Sequence, residues 1–313
     1  MLNRRHIRVK VMQSIYALIQ SESDDLVKEE KFLKESITSI YDLYILMLSL
    51  LCEVRNLAEG HLEIAKKKYL ATSDDINPSR KFIDNQILQR LNNNNSIKAY
   101  LKERKLLNWK EDNEYVRVIL DAIKKSKIYE DYVNSENENS LKADLNFVCD
   151  IYKSVIAPND KLFDYFESQK LSWVDDIPFV NTLLLKNIKK INADTIFNRN
   201  KLYRDQDDED FVTNLFRKTA SHHLEFNEDI DQKTPNWDTE RIAEVDFILM
   251  KMALIEFVYF PSIPTRVTIN EYIEIAKDYS TSKSSFFING VLDKLLKEYT
   301  SSDRIQKIGR GLL

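Results

Sequence analysis

The chain has 313 residues, 43% apolar and 31% charged, with a net charge of -4 at neutral pH, a balance that excludes a disordered tail and supplies enough apolar material for a sizeable core. Glycine excludes more, because there are four: Gly60, Gly290, Gly309 and Gly311. Phosphate-cradling loops need glycines for tight turns and close backbone approach, so between Gly60 and Gly290 neither nucleotide hydrolysis nor dinucleotide redox chemistry has the loop it requires.

Almost every segment follows the helical period, and the fold class expected is all-α. In the first helix Ile7, Val11, Ile15 and Leu18 form one apolar stripe, with Arg4 and Arg8 one turn apart beside it. Residues 1–21 carry Arg4, Arg5, Arg8 and Lys10 and no acid, which leaves -8 for the remainder, so the basic pole is the first helix. A cation cluster on an acidic protein is the pattern of a phosphate-backbone contact, or of an ordinary solvated helix start.

Further helices are expected over 28–65, 78–91, 96–105, 111–132, 141–154, 160–169 and 177–190, with loops at 92–95, 134–140 and 204–210. The most lipid-like run, 45–52, is bounded by Asp42 and Glu53 and falls short of the ~18 residues a bilayer crossing needs. Neither a signal peptide nor a membrane is therefore expected, and the cytoplasm is the default location. Lys66, Lys67 and Lys68 read as a solvated face rather than an RNA contact. Cys52 and Cys149 sit in apolar periodic segments as buried thiols, and His6, His61, His222 and His223 lack ligand spacing, so no metal or cofactor is expected.

Trp109, Trp173 and Trp237 are evenly spaced at 64, and the same offset superposes Asp144, Phe147, Val148 and Ile151 on Asp208, Phe211, Val212 and Leu215. This reads as a helical hairpin used about three times, whose copies stack because none can bury its apolar face alone. The alternative is the chance self-similarity of any all-α chain.

From residue 242 to 255 a helix is apolar on most of its circumference and belongs at the centre of a bundle. Thr268 and Glu271 have capping-box spacing and are expected to open the next helix. A final helix carries Ile288, Val291, Leu292, Leu295 and Tyr299 on one face, and Gly290 inside it is expected to mark a close approach by another backbone or a ligand.

The run Val267-Thr-Ile-Asn-Glu-Tyr-Ile-Glu-Ile-Ala-Lys-Asp-Tyr279, followed by Ser284-Ser-Phe-Phe-Ile-Asn-Gly-Val-Leu-Asp-Lys294, resembles the C-terminal signature of the NusB family of transcription antitermination factors. The helix from Arg241 to Glu256 is similar to that family too, as is the opening Arg4-Arg5-His6-Ile7-Arg8-Val9-Lys10-Val11-Met12-Gln13-Ser14-Ile15-Tyr16. The resemblance is discontinuous. It assigns residues 1–22 with 205–313 to a NusB-like RNA-binding helical domain and leaves 23–204 as an inserted helical region, either diverged hairpin repeats or an independent domain. The architecture implied is a NusB-type helical bundle enlarged by additional helical hairpins.

The resemblance implies a non-catalytic RNA-binding factor. It would act on boxA-like elements of ribosomal RNA leaders, with a small-subunit ribosomal protein, transcribing RNA polymerase and other Nus factors. Carried over by position, Arg4, Arg5 and Arg8 match the family's arginine-rich RNA-binding helix, while His6 stands where the family often has another arginine. Gln13 and Tyr16 match positions lining the same groove, with Tyr16 either stacking a splayed base or half-buried in the core. Phe287 and Asn289 match a second RNA-facing edge, and Phe287 could equally be core. Glu240 and Asp246 match acids that face the basic ribosomal-protein partner; the alternative is an internal salt bridge to Lys251 or Arg241. Lys283 departs from the acid often found at its position. The basic side chains flank the apolar stripe, so alanine at Arg4, Arg5 or Arg8 is expected to cost folding within ~0.5 kcal/mol each.

Two other functions are compatible with a helical chain of this kind. Some RNA cytosine methyltransferases carry a domain of this type, but the chain has neither their glycine-rich cofactor loop nor a Pro-Cys catalytic pair. A helical protein-interaction scaffold without specific RNA binding is the remaining alternative.

Overall fold

A computed structural model describes residues 2–22, 24–66, 79–135, 140–192, 202–234 and 243–312, and all regular elements among them are helical. The chain divides into two compact units, one of Met1–Ile37 with Lys201–Leu313 and the other of Thr38–Asn200. The first cut falls inside a single long helix.

In chain order, α1 (Arg4–Gln20) is followed by α2 (Leu26–Ala65), the helix that contains the cut. By length and composition α2 could cross a membrane, but 89% of its apolar window is buried inside the protein. The second unit continues with α3 (Gln86–Asn92), α4 (Asn95–Glu103), α5 (Asn108–Glu111), α6 (Asn113–Lys125) and α7 (Lys127–Asn134). It ends with α8 (Leu141–Ile151), α9 (Asp160–Gln169) and α10 (Ile177–Ile188). The first unit resumes with α11 (Gln206–His222), α12 (Asn227–Lys233), α13 (Glu244–Tyr259), α14 (Thr265–Tyr279) and α15 (Ser284–Ser301).

Asparagine and serine caps set many of these boundaries, each side-chain oxygen accepting from backbone amides that a helix start leaves unpaired. Asn94 accepts from the Ser96 and Ile97 amides and turns the expected loop at 92–95 into the start of α4. Ser126 accepts from the Tyr129 amide and splits the helix expected over 111–132 into α6 and α7.

In the second unit the tryptophans anchor on α2. The Trp109 indole N–H donates to the Leu46 carbonyl and to Ser49 Oγ, both at 3.0 Å. That of Trp173 donates to the carbonyl and hydroxyl of Ser39, at 2.9 and 2.7 Å. Trp237 lies outside the described residues. The buried Asp144 accepts from the Tyr132 hydroxyl and the Gln86 amide, whereas Asp208, at its repeat position, accepts from Arg4. The 64-residue offset slips by one at the helix starts, where Ser140 caps α8 and Asp205 caps α11.

The first unit is built around α13, on which 248–250 and 252–257 are all buried. A helix apolar on most of its circumference has little face to give to water, and this one is enclosed by α1, α11, α14 and α15. Ile7, Val11 and Ile15 are buried, so α1 packs against elements that follow it by nearly 200 residues of sequence.

Two local expectations are corrected. Helix α14 begins at Thr265, directly after Pro264, and the Thr268 hydroxyl caps nothing; it donates to the Glu256 carboxylate at 3.1 Å. Gly290 is exposed, and a Cβ there would meet nothing within 4 Å, so no backbone among the described residues approaches it.

Candidate nucleic-acid interface

Asn3 starts α1 by accepting from the His6 amide at 3.0 Å, and Arg4, Arg5 and Arg8 share one side of its first two turns, with the Arg4 and Arg8 guanidiniums both over the Phe211 ring. Each meets a carboxylate from a different helix. Arg4 Nε donates to Asp208 on α11 at 2.9 Å, with its guanidinium 4.9 Å from the Phe211 ring centre. Arg5 grips Glu271 on α14 through two bonds of 3.0 Å. Arg8 is bidentate to Glu256 on α13 at 2.6 and 2.8 Å, and Glu256 also accepts from the Tyr272 hydroxyl at 2.8 Å.

Exposure separates the three. The side chains of Arg4 and Arg5 are 31% and 40% exposed, whereas Arg8 is 2% exposed against a Glu256 fully out of contact with water. The expectation that Arg8 is a dispensable surface cation is therefore wrong: it is half of a buried ion pair that ties α1 to the central helix. Lys10 is buried as well. The Arg5 hydrogen bonds hold the Glu271 carboxyl below its ordinary range. Burial works against the Arg8 charge, but Glu256 outweighs it and keeps the guanidinium protonated. Burial, with the charge of Arg5 beside it, lowers His6 to about 4, so His6 is neutral at physiological pH.

The exposed arginines open onto a cleft of about 970 Å³. Its apolar lining includes Phe211, Phe260, Ile263, Pro264 and Val267. Arg4, Arg5, Arg204 and Arg310 supply cations, and Asp205, Asp207, Asp210 and Glu271 supply acids. Arg204 pairs with Asp205 at 3.1 Å and with Asp208 at 3.3 Å, so the cleft is an arginine cluster partly neutralised by the acidic start of α11. Flat guanidinium planes beside aromatic and apolar surface can take both the phosphates and the base faces of a single strand.

The other sequence-derived candidates lie outside the cleft lining. Gln13 is half-buried and Tyr16 is 39% exposed, further along α1. On α15, Phe287 is half-buried and Asn289 donates to Asp293 at 3.4 Å. Its neighbour Phe286, 81% exposed, is the aromatic ring that faces solvent. Glu240 lies outside the described residues. Asp246 is buried and accepts from the hydroxyl of Ser284, the first residue of α15, at 2.6 Å, in place of Lys251; Arg241, the other internal partner open to it, lies outside the described residues. Arg204 and Arg310 also line the cleft, and neither stands out in the sequence as a binding residue. Arg310 carried a signal in its flanking Gly309 and Gly311, whereas Arg204 stands in a charged loop that pointed only to a helix start.

Residues 180–297 match the model of the NusB family. A transcription antitermination protein NusB of Salinibacter ruber (strain DSM 13855 / M31) is 41% identical over 112 residues, covering 36% of this chain and 70% of the relative. One of Chloroherpeton thalassium (strain ATCC 35110 / GB-78) is 39% identical over 104 residues, 33% of this chain and 49% of the relative. One of Natranaerobius thermophilus (strain ATCC BAA-1301 / DSM 18059 / JW/NM-WN-LF) is 31% identical over 112 residues, 36% of this chain and 81% of the relative. No solved structure matches the chain. With this identity sustained over most of two relatives, on an all-helical chain, the protein belongs to the NusB family.

Proposed function

We propose that the protein is a non-catalytic, cytoplasmic, RNA-binding transcription antitermination factor. In this reading it acts on boxA-like ribosomal RNA leader elements, with a small-subunit ribosomal protein and with RNA polymerase carrying other Nus factors. The observation that carries the reading is the open cleft beneath Arg4 and Arg5, with guanidiniums at its mouth and aromatic surface in its lining. Arg4 and Arg5 exchange Asp208 and Glu271 for phosphates. Tyr16, with Gln13 beside it, extends the RNA path along α1, and Phe287 and Asn289 form a second edge. His6, neutral and half-buried, contributes shape but no charge. Arg8 contributes by holding α1 in place.

Glu240 is the acid assigned to the basic ribosomal-protein partner, and Asp246 acts with it by fixing the start of α15 through Ser284. Residues 1–22 with 205–313 are the RNA-binding domain in this reading, and 23–204 is an inserted region of diverged hairpins. The anchoring of Trp109 and Trp173 on one helix supports that description of the insertion.

A second reading, a helical scaffold without specific RNA binding, is favoured by the carboxylate each of the three α1 arginines already holds. A gel-shift with a boxA-containing leader RNA, with and without the ribosomal protein, separates the two. The RNA reading expects a shift that the ribosomal protein strengthens and a scrambled element weakens. Equal, weak binding of both RNAs would leave the scaffold.

A further inference from the structure

Beyond residue 297, where the family match ends, the chain leaves α15 and makes a short strap that the proposed function does not use. It is fixed at several points. Arg304 donates to Asp229 at 2.7 Å and stacks on the Tyr299 ring at 4.3 Å. Lys307 then reaches the C-terminal end of α13, donating to the carbonyls of Glu256 and Phe260 at 3.1 and 2.9 Å, and the Ile308 amide donates to the Pro261 carbonyl at 3.1 Å. Both carbonyls also accept a backbone amide, Glu256 that of Phe260 and Phe260 that of Ile263, so Lys307 adds a second donor to each at the negative end of the helix.

Gly309-Arg310-Gly311 follows, and both glycines are required by geometry. Gly309 has a φ of +52°, in the left-handed region. Gly311 is buried against the Pro261 carbonyl, and a Cβ there would stand 1.9 Å from that oxygen, far inside contact distance. Arg310, between them, is exposed and lines the cleft with Arg4 and Arg5. The fastening of the strap uses the side chains of Arg304 and Lys307 and the bare backbone of Gly311, but nothing of the Arg310 side chain, whose guanidinium has no ion pair or hydrogen bond among the described residues. Arg4, Arg5 and Arg204 each spend charge on a carboxylate. Arg310 does not.

We infer that the Gly309-Arg310-Gly311 turn is a further RNA-binding element that presents Arg310 to a backbone phosphate of single-stranded RNA in the cleft. The inference rests on the RNA-binding reading above and adds a residue outside the family match. The two ends of the site share one fixture, because Glu256 holds Arg8 through its carboxylate and Lys307 through its backbone carbonyl.

The test measures binding of the full chain to a boxA-containing leader RNA from 50 to 200 mM salt. One lost phosphate contact lowers the slope magnitude of log K against log salt by about 0.7, so Arg310→Ala should lose about 2.5-fold less affinity than wild type across that range. Arg310→Lys should keep the wild-type slope, because a phosphate contact needs charge and not a planar fork. Gly311→Val should reproduce the Arg310→Ala slope by displacing the strap. The melting temperature of Arg310→Ala should equal that of wild type. A wild-type slope in Arg310→Ala, with RNA still bound and the Arg4→Ala/Arg5→Ala variant impaired, would overturn this inference and leave the function standing. Failure of the wild-type chain to bind the RNA would instead overturn the function, and this inference with it.

Discussion

Replacing Arg8 by alanine tests how α1 is held. The substitution removes both guanidinium bonds to Glu256, at 2.6 and 2.8 Å, and leaves a carboxylate with no solvent contact facing the neutral donors Thr268 and Tyr272. Breaking a buried pair from one side costs about 3–5 kcal/mol, because the remaining charge is stranded. A unit the size of Met1–Ile37 with Lys201–Leu313 shifts its midpoint by about 2–4 °C per kcal/mol, so the transition should move down by about 6–20 °C. Far-ultraviolet circular dichroism during a thermal ramp reads it. Adding Glu256→Gln to Arg8→Ala should restore part of the loss, since the stranded charge is then gone and the Thr268 and Tyr272 hydroxyls keep an acceptor. A midpoint within 2 °C of wild type in Arg8→Ala would refute the reasoning and return Arg8 to the surface.

Three further outcomes are expected. Tyr16→Ala should weaken RNA binding by about 1–3 kcal/mol with little change in salt slope, because a stacked base neutralises no charge; fluorescence anisotropy titrations at two salt concentrations read both quantities. His6 takes up a proton near 6.5 in the unfolded chain but only near 4 when folded, so unfolding binds a proton between those values. Its contribution is intact above about pH 6.5 and is lost as the pH falls toward 4, and His6→Gln should flatten that part of a urea-midpoint against pH curve. Trp173→Phe keeps most of the apolar surface but removes the indole N–H that donates to Ser39 inside α2; it should destabilise the Thr38–Asn200 unit by about 0.5–1.5 kcal/mol, as amide exchange within that unit would record.

The helical class and the enclosure of α13 were legible because both are written in local periodicity, and over 242–255 only Glu244, Asp246 and Lys251 interrupt the apolar surface. The family was legible in three ordered blocks around 4–16, 241–256 and 267–294. The buried state of Arg8 was not, since its partner Glu256 lies 248 positions away and an arginine beside an apolar stripe looks the same whether it is solvated or paired across a core. Thr268 misled for the same reason: its spacing to Glu271 fits a cap, but Glu256 takes the hydroxyl and Arg5 takes the acid. Gly290 stood out only by rarity, while the consequential glycines, Gly309 and Gly311, act through a positive φ and a close carbonyl that no periodicity encodes.

The most direct test of the central claim is the salt dependence of boxA RNA binding by wild type and by the Arg4→Ala/Arg5→Ala variant. With two phosphates at about 0.7 each, the variant's slope of log K against log salt should be shallower by about 1.4 while its fold persists. Identical slopes in the two proteins, both folded, would contradict an RNA site at the start of α1.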